Sequence, residues 1–279
     1  MRRSSLFILT IALAAASSVL PAHALSGSES GESADSHASA RPSITVRVDD
    51  RHIAAPARMP AGYVDIHIVT EGKVHHHLSF WHLNAGVSVK RFMTALNSPR
   101  GPFKVATAVG GNAPMLPGQL DTTLRLTPGT FVLADIVDGP THVTSFHVAG
   151  PPVSTRPPAA AGTAVNRGFR FTLPANFGRP GVYRFTNRDP VAHDGVIYSL
   201  REGKSAGDLV RWLRAGGKGV APVDFTRPLG GPGAIGAHWT SWFVQPGLPP
   251  GRYVLGCFLP DDRGVPHAAL GMVAGFEVN

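Results

Sequence analysis

Cysteine is almost absent from this chain: Cys257 is the only one among 279 residues. A single thiol cannot form an internal disulfide, so packing must supply the stability of the fold. The sequence therefore excludes a disulfide-stapled scaffold. Cys257 must therefore have a role other than cross-linking, and metal binding is one such role.

The chain also lacks a hydrophobic run long enough to span a bilayer as a helix. Its apolar stretch at residues 6–16 is too short for that. Arg2 and Arg3 precede this stretch and the motif Ala-His-Ala at residues 22–24 follows it, which is the arrangement of a secretory signal. We predict a signal peptide over residues 1–24, no transmembrane segment, and an exported protein that is periplasmic or extracellular.

Lysine is scarce, and the basic residues do not cluster. The formal net charge of +8 suggests nucleic-acid binding as a first hypothesis. The arginines, however, are scattered along the whole chain without interleaved aromatic residues. We therefore expect no nucleic-acid partner, and at most a weak attraction to an acidic protein or surface.

The distribution of short apolar runs predicts an all-β protein of two domains. Residues 25–40 are rich in Ser, Gly, Glu and Ala and predict a disordered tether. From residue 41 to 150, short alternating runs are bounded by Gly, Pro, Asn or Asp, which is typical of a β-sandwich. A Pro/Ala-rich linker is predicted over 151–162, and the strand pattern resumes over 163–279.

The two predicted domains repeat each other. Residues 126–135 align without gaps on residues 248–257, and residues 76–86 align on residues 193–203. His193 then falls on His76, and Cys257 falls on Asp135. This repeat predicts two tandem domains of one fold.

Each domain is predicted to carry one inserted helix. In the second domain Ser205 and Asp208 form a capping box, and Gly216 follows the apolar face of the helix. In the first domain the counterpart runs from Ser88 to Leu96. We expect these helices to cover an open edge of each sandwich.

Residues 253–272 bring together the chemistry of the chain. Cys257 is followed by His267 and Met272, and His193 lies on a short apolar run upstream. A thiolate, two imidazoles and a thioether are the donors of a type 1 copper site, with two His and one Cys in a plane and a weak axial Met. Each residue alone is also compatible with a packing role, Cys257 and Met272 as buried apolar groups.

The order of these four residues resembles the cupredoxin family of blue copper proteins. The long interval between Cys257 and His267, with the ending PHAALGM, is most similar to the type 1 loop of copper nitrite reductases. The resemblance covers residues 163–279. It implies Greek-key β-sandwich domains and one type 1 copper, held by His193, Cys257, His267 and Met272.

The resemblance to nitrite reductases has a limit beside Cys257. In those enzymes and in multicopper oxidases, a histidine next to the cysteine ligates a second copper centre, whereas Gly256 and Phe258 stand there in this chain. We therefore expect no such enzyme activity. The first hypothesis is single-electron transfer with a redox partner protein. The alternatives are a copper carrier or sensor without a redox partner, and a metal-free binding module; the oligomeric state is left open.

The first domain is rich in histidine but has no counterpart of the loop that holds His267 and Met272. Three consecutive histidines on a strand do not converge on one ion, because their side chains alternate between faces. His76 with Asp135, and with His142, could form a remnant site for a harder metal. A polar strand with half-buried rings is the interpretation favoured by the sequence.

Overall fold

The computed structural model describes residues 41–113, 115–136 and 141–279. The predicted signal peptide and the predicted tether, residues 25–40, lie outside these residues. The chain from Arg41 to Asn279 forms one compact unit. Among the described residues, no helix is both long and apolar enough to cross a membrane.

Strands dominate the described part of the chain, as the sequence predicts. In chain order the elements are β1 Ser43–Val48, β2 Ile53–Ala54, β3 Arg58–Thr70, β4 Leu78–Leu83, α1 Val89–Ala95, α2 Gly101–Val105, β5 Ala106–Gly111, β6 Gly118–Leu126, β7 Gly129–Asp135, β8 His142–Ser154, β9 Gly162–Asn166, β10 Phe171–Thr172, β11 Gly181–Asn187, β12 Val196–Ser199, α3 Ala206–Arg214, β13 Thr240–Gln245, β14 Gly251–Gly256, α4 His267–Leu270 and β15 Val273–Val278.

Two sheets contain these strands. The larger has the order β10-β9-β11-β13-β6-β3-β8-β7-β4-β5, with β1 added beside β3 and β2 beside β1. The smaller has the order β12-β14-β15. Because β13 pairs antiparallel with β6, the large sheet contains strands from both halves of the chain. The division into domains at 41–150 and 163–279 stays a prediction.

The alternation of buried and exposed residues along the strands shows which face of the large sheet packs against the core. On β3, Val64, Ile66 and Ile68 are fully buried, while the residues between them are partly exposed. Residues with a period of two point to one face of a sheet, so this face packs on the first-half core. A second core, around Tyr183 and Phe185, belongs to the second half of the chain.

The internal repeat is present in the strand pairing. β4 pairs antiparallel with β7, and β12 pairs antiparallel with β14. The pair Ser79 and Ala134 in the first half corresponds to the pair Val196 and Gly256 in the second, and the neighbouring pairs follow in the same order. The two halves therefore bring equivalent positions together with the same register.

The two predicted helices are α1 and α3. Ser88 caps α1 by accepting a hydrogen bond from the Arg91 N–H. Ser205 and Asp208 form the predicted capping box of α3. The prediction of one helix in each half is nevertheless incomplete, because α2 and α4 are also present. Helices of five and four residues are too short to show a 3.6-residue periodicity.

The segment predicted as a linker, residues 151–162, is only partly irregular. Its first four residues are the end of β8, and Gly162 begins β9. Proline is compatible with an extended backbone where no ladder hydrogen bond is needed from its nitrogen, so Pro151 and Pro152 do not end the strand.

Candidate metal centre

Strand ends bring His193 and Cys257 to the same place. Cys257 directly follows β14. His193 precedes β12, and its backbone exchanges two hydrogen bonds with Ile235, of 3.0 and 2.8 Å. Because β12 pairs with β14, the residues just beyond the paired ends lie close together.

The loop from Cys257 to Met272 is closed by its own backbone hydrogen bonds. The Cys257 N–H donates to the Met272 carbonyl at 3.1 Å, and the Met272 N–H donates to the His267 carbonyl at 3.0 Å. The Ala268 N–H donates to the Cys257 carbonyl at 2.7 Å. The backbones of all three predicted donors of this loop are therefore held together without any ligand.

Three predicted donor atoms form a small triangle. The Cys257 Sγ lies 3.7 Å from His193 Nδ1 and 3.4 Å from His267 Nδ1, and the two nitrogens are 3.1 Å apart. The point equidistant from the three atoms is about 2.0 Å from each, against usual zinc–nitrogen and zinc–sulfur distances of about 2.0–2.1 and 2.3 Å. A first-row metal ion therefore fits between them.

All four predicted ligands are buried. His193, Cys257 and Met272 have no exposed surface and His267 is 1% exposed. His193, Cys257 and His267 are also the one group of three or more His, Cys, Asp or Glu residues in the described part of the chain whose donor atoms converge. Met272 is held close to Cys257 and His267 by the backbone hydrogen bonds that close the loop.

Asp189 orients the first of the two imidazoles. Its Oδ2 lies 3.0 Å from His193 Nε2. The carboxylate is in turn fixed by the N–H groups of Gly168 and Phe169, which donate to it at 2.6 and 3.2 Å. A carboxylate on Nε2 favours the proton on that nitrogen and leaves the Nδ1 lone pair of His193 free for a metal.

Phe169 forms an aromatic wall over the two histidines. Its ring meets His193 edge to face at 5.3 Å and His267 at 4.8 Å. The backbone at Phe169 is in the left-handed region, with φ of 57°, which a bulky residue rarely adopts. This conformation places one residue both to bond Asp189 through its N–H and to shield the imidazoles from water.

Burial keeps both imidazoles neutral at neutral pH. It lowers the pKa of His267 to about 4, an effect increased by the nearby His193 and Arg100. Burial also lowers the pKa of His193, which Asp189 partly opposes. Neutral imidazole is the form that binds a metal, so neither ring has to lose a proton first.

The thiol of Cys257 behaves in the opposite way. Burial, together with the nearby Asp194 carboxyl, raises its pKa well above its ordinary value. The thiolate is the metal-binding form, and an adjacent cation stabilises it strongly. Metal binding at this site should therefore displace the thiol proton.

Asp194 links the cysteine to the next residue. Its backbone N–H lies 3.5 Å from Cys257 Sγ, and its Oδ1 accepts a 2.9 Å hydrogen bond from the Phe258 N–H. Burial raises the pKa of Asp194 to about 6. The sequence does not single out Asp189, Asp194 or Phe169 as parts of this site. The one indication in the sequence is that both acids lie within four residues of His193.

The equivalent place in the first half holds a hydrogen-bonded histidine and aspartate. His76 Nδ1 lies 2.7 Å from Asp135 Oδ2, where the second half has His193 and Cys257. The His77 N–H donates to Asp135 Oδ1 at 2.8 Å, which is the counterpart of the Asp194 N–H directed at Cys257. The chain thus keeps the local hydrogen-bond pattern but replaces the sulfur with a carboxylate.

Among the described residues of this half, His76, Asp135 and His142 do not converge as a group that could hold a metal ion. The second nitrogen of His76 lies 2.9 Å from the Glu71 carbonyl, and His142 Nε2 lies 3.1 Å from the Asp50 carbonyl. Hydrogen bonds therefore occupy both rings. The expectation of half-buried rings is wrong for His76 and His77, which are 0 and 5% exposed because they immediately precede the buried strand β4.

Comparisons with known proteins give structural neighbours alone. No protein-family model matches the chain, and no curated protein matches it. Auracyanin from Roseiflexus castenholzii matches with 21% identity and a TM-score of 0.28, over 42% of this chain and 95% of that one. Auracyanin A from Chloroflexus aurantiacus matches with 14% identity and a TM-score of 0.27, over 38 and 99%.

Copper nitrite reductase from Nitrosomonas europaea matches with 11% identity and a TM-score of 0.24, over 86% of this chain and 94% of that one. Auracyanin A is a blue copper protein. These are the kinds of copper protein that the sequence resembles. At such low TM-scores the likeness carries no weight for function, which is argued below from the donor atoms.

Proposed function

We propose that this chain is an exported copper protein that binds one copper ion and transfers single electrons to or from a redox partner protein. His193, Cys257 and His267 would hold the ion in a plane, with Met272 as the weak axial ligand. Export rests on the sequence of residues 1–24. Copper binding and electron transfer are argued from the chemistry of the site.

The triangle of donor atoms is the observation that carries the proposal. Its edges of 3.1, 3.4 and 3.7 Å accommodate a first-row ion without rearrangement. Among such ions, the combination of a thiolate with the thioether of Met272 favours copper, because structural zinc sites use Cys, His and carboxylate ligands instead.

The protein contributes rigidity, neutral imidazoles and exclusion of water. Bound copper supplies the redox chemistry, a change of one electron between Cu(I) and Cu(II). The closed loop fixes Cys257, His267 and Met272, and Asp189 fixes His193. Phe169 keeps water from the imidazoles. With the donor atoms of His193, Cys257 and His267 already converging, a change of oxidation state would require little movement of these ligands.

Complete burial also distinguishes electron transfer from copper delivery. A carrier must expose its ligands to a receiving protein, whereas all four side chains here are at most 1% exposed. Release of the ion would require the hydrogen bonds that close the loop to break. These features favour a resident copper over a transferred one.

Residues beside Cys257 limit the proposal to electron transfer. Gly256 and Phe258 carry no metal-binding side chain. A path through the neighbours of Cys257 to a second copper centre is therefore missing. We do not extend the proposal to nitrite reductase or oxidase activity.

Copper loading tests the proposal directly. The Cu(II)-loaded protein should show an intense sulfur-to-copper absorption band in the visible, because the Cys257 thiolate would be a direct ligand of the ion. One equivalent of reductant should bleach the band and an oxidant should restore it. Cys257→Ser should remove the band, since a hydroxyl is not a soft donor. Tight binding of Cu(II) without colour would contradict the proposal, and a band that cannot be cycled would favour storage or sensing.

A further inference from the structure

A groove on the outer face of the large sheet is lined by three arginines and belongs to no part of the metal centre. Its volume is about 510 Å³, within the range of about 300–1,000 Å³ that is usual for small-molecule sites. Arg125, Arg184 and Arg188 lie around it, and Tyr63 and Trp242 contribute aromatic surface.

Strand register explains why these side chains share one face. Arg184 on β11 lies opposite Trp242 on β13, and Arg125 on β6 lies opposite Tyr63 on β3. Phe243, the residue after Trp242, is buried in the core. Because neighbouring residues of a strand point to opposite faces, this set points outward.

The groove crosses the junction between the two halves. Its floor includes β6 from the first half and β13 from the second, which pair directly. Pro157, from the segment that connects the halves, lies at its border. The site therefore exists only when both halves are assembled.

Positive charge in the groove is uncompensated. None of the residues that line it is an Asp or Glu. No ion pair is formed by Arg125, Arg184 or Arg188 within the described residues. Asp65, a carboxylate on the neighbouring part of β3, is already bound by Arg41 at 3.0 Å.

Apolar surface accompanies this charge. Tyr63 and Trp242 meet edge to face at 5.4 Å, and Val165 and Trp239 extend the apolar part. His238, at the rim, has a φ of 56°, a conformation that is rare for residues other than glycine and that clusters at functional sites. A ligand for this groove needs both an anionic group and a flat apolar body.

We propose that this groove binds a small organic anion in which a carboxylate is attached to an aromatic ring system. The arginine fork matches a planar carboxylate with two parallel hydrogen bonds, and guanidinium groups also stack on aromatic faces. The aromatic rings of the groove receive the apolar body. This proposal is independent of copper, because no groove residue is a predicted metal ligand.

Calorimetric titration of the full-length, copper-free protein with 2-naphthoate tests this inference. We expect saturable binding that weakens with added NaCl. Neutral 2-naphthamide and inorganic phosphate should each bind at least tenfold more weakly, because the first lacks the charge and the second lacks the apolar body.

Charge-removing variants locate the site. Arg125→Gln with Arg184→Gln should weaken 2-naphthoate binding at least tenfold, and Arg188→Gln alone should weaken it measurably. Arg252→Gln is the matched control, because this exposed arginine lies on β14 in the smaller sheet. Thermal unfolding of each variant shows whether the fold is retained.

Four results would each overturn the inference. They are no binding of 2-naphthoate at millimolar concentration, equal binding of the neutral amide, equal binding of phosphate, and unchanged affinity in the folded arginine variants. Equal binding of phosphate would assign the groove to inorganic anions.

Discussion

His193 and His76 occupy equivalent places in the two halves but have different partners. His193→Ala removes one of the three predicted in-plane donors, so we expect copper affinity to fall strongly and the visible band to disappear. His76→Ala removes the imidazole partner of the buried Asp135, which keeps the hydrogen bond from the His77 N–H, so we expect a loss of folding free energy of about 1–3 kcal/mol. It should leave the copper spectrum unchanged.

Copper titration followed by absorption and electron paramagnetic resonance separates these two effects, and urea unfolding measures the second. Loss of colour in His76→Ala, with colour retained in His193→Ala, would show that copper is not held by the predicted residues.

Met272 is expected to tune the site more than to hold it. A Met→Leu exchange at a buried position nearly conserves volume and usually costs less than about 1.5 kcal/mol. Met272→Leu should therefore fold, bind copper and stay coloured, while the reduction potential changes because the axial thioether is lost. Voltammetry of both proteins measures the change. An identical potential would mean that Met272 serves only packing.

His77 makes the metal-free protein sensitive to acid. Burial lowers its pKa from 6.5 to about 4, so the native state stays neutral where the unfolded chain already binds a proton. The unfolded state binds more protons between these values, and stability therefore falls as the pH drops from about 6.5 to 4, by roughly 3 kcal/mol from this residue.

Urea unfolding at pH 7, 5.5 and 4.5 checks this expectation in the copper-free protein. His77→Phe should flatten the decline relative to the parent. His52→Gln, a change at an exposed histidine, should not. Parallel declines in the parent and in His77→Phe would assign the acid sensitivity to other groups.

The helix α4 carries His267 and ends in a residue that requires a left-handed backbone. Gly271 has a φ of 109°, and an added Cβ would meet nothing closer than 3.9 Å. Gly271→Ala therefore introduces backbone strain of about 1–2 kcal/mol without a steric clash. Because His267 and Met272 are joined across this residue, we expect the copper band to shift.

Gly264 offers a matched control in the same loop. It has a φ of 82° with open space around it, and it lies in the turn between Asp261 and Val265, before α4 and outside the cap of that helix. Gly264→Ala should lower stability by a similar amount and leave the band in place. Equal spectra for both variants would mean that the cap of α4 does not position His267.

Local sequence chemistry accounts for the elements that were predictable. The capping box at Ser205 and Asp208 and the cap at Ser88 are short-range interactions, so they can be read from neighbouring residues. The helices α2 and α4 depend instead on the surrounding fold, because so few residues cannot form a stable helix alone.

The same distinction applies to the metal centre. Residue types and their order indicate His193, Cys257, His267 and Met272, because copper restricts which donors can serve. The supporting residues carry no such restriction. Phe169 reaches the site through a left-handed backbone and the folding of a distant loop, which no local pattern predicts.

At the scale of the whole molecule, the first half covers part of the loop from Cys257 to Met272. Leu259 packs against the cluster around Trp81 and Phe92, and Arg100 pairs with Asp262 at 3.3 Å. A fragment of residues 163–279 keeps all four predicted ligands. We expect it to bind copper with the same colour but to unfold at lower urea concentration, because β13 loses its neighbour β6.

Absorption and urea unfolding of this fragment, compared with the full chain, measure both effects. A folded fragment that takes up copper only after residues 41–150 are added would show that the first half supplies a ligand.

The register of β4 with β7 matches that of β12 with β14, so the two halves of one chain can be compared position by position. In the first half a hydrogen bond joins the histidine to its partner, and in the second half the equivalent space is suited to a metal ion. The same strand register therefore accommodates a hydrogen-bonded pair in one half and a proposed metal site in the other. Contacts of 3.1 Å between His193 and His267 and of 3.4 Å between Cys257 and His267 hold the second half together without a ligand, so we expect the chain to fold before the proposed metal binds.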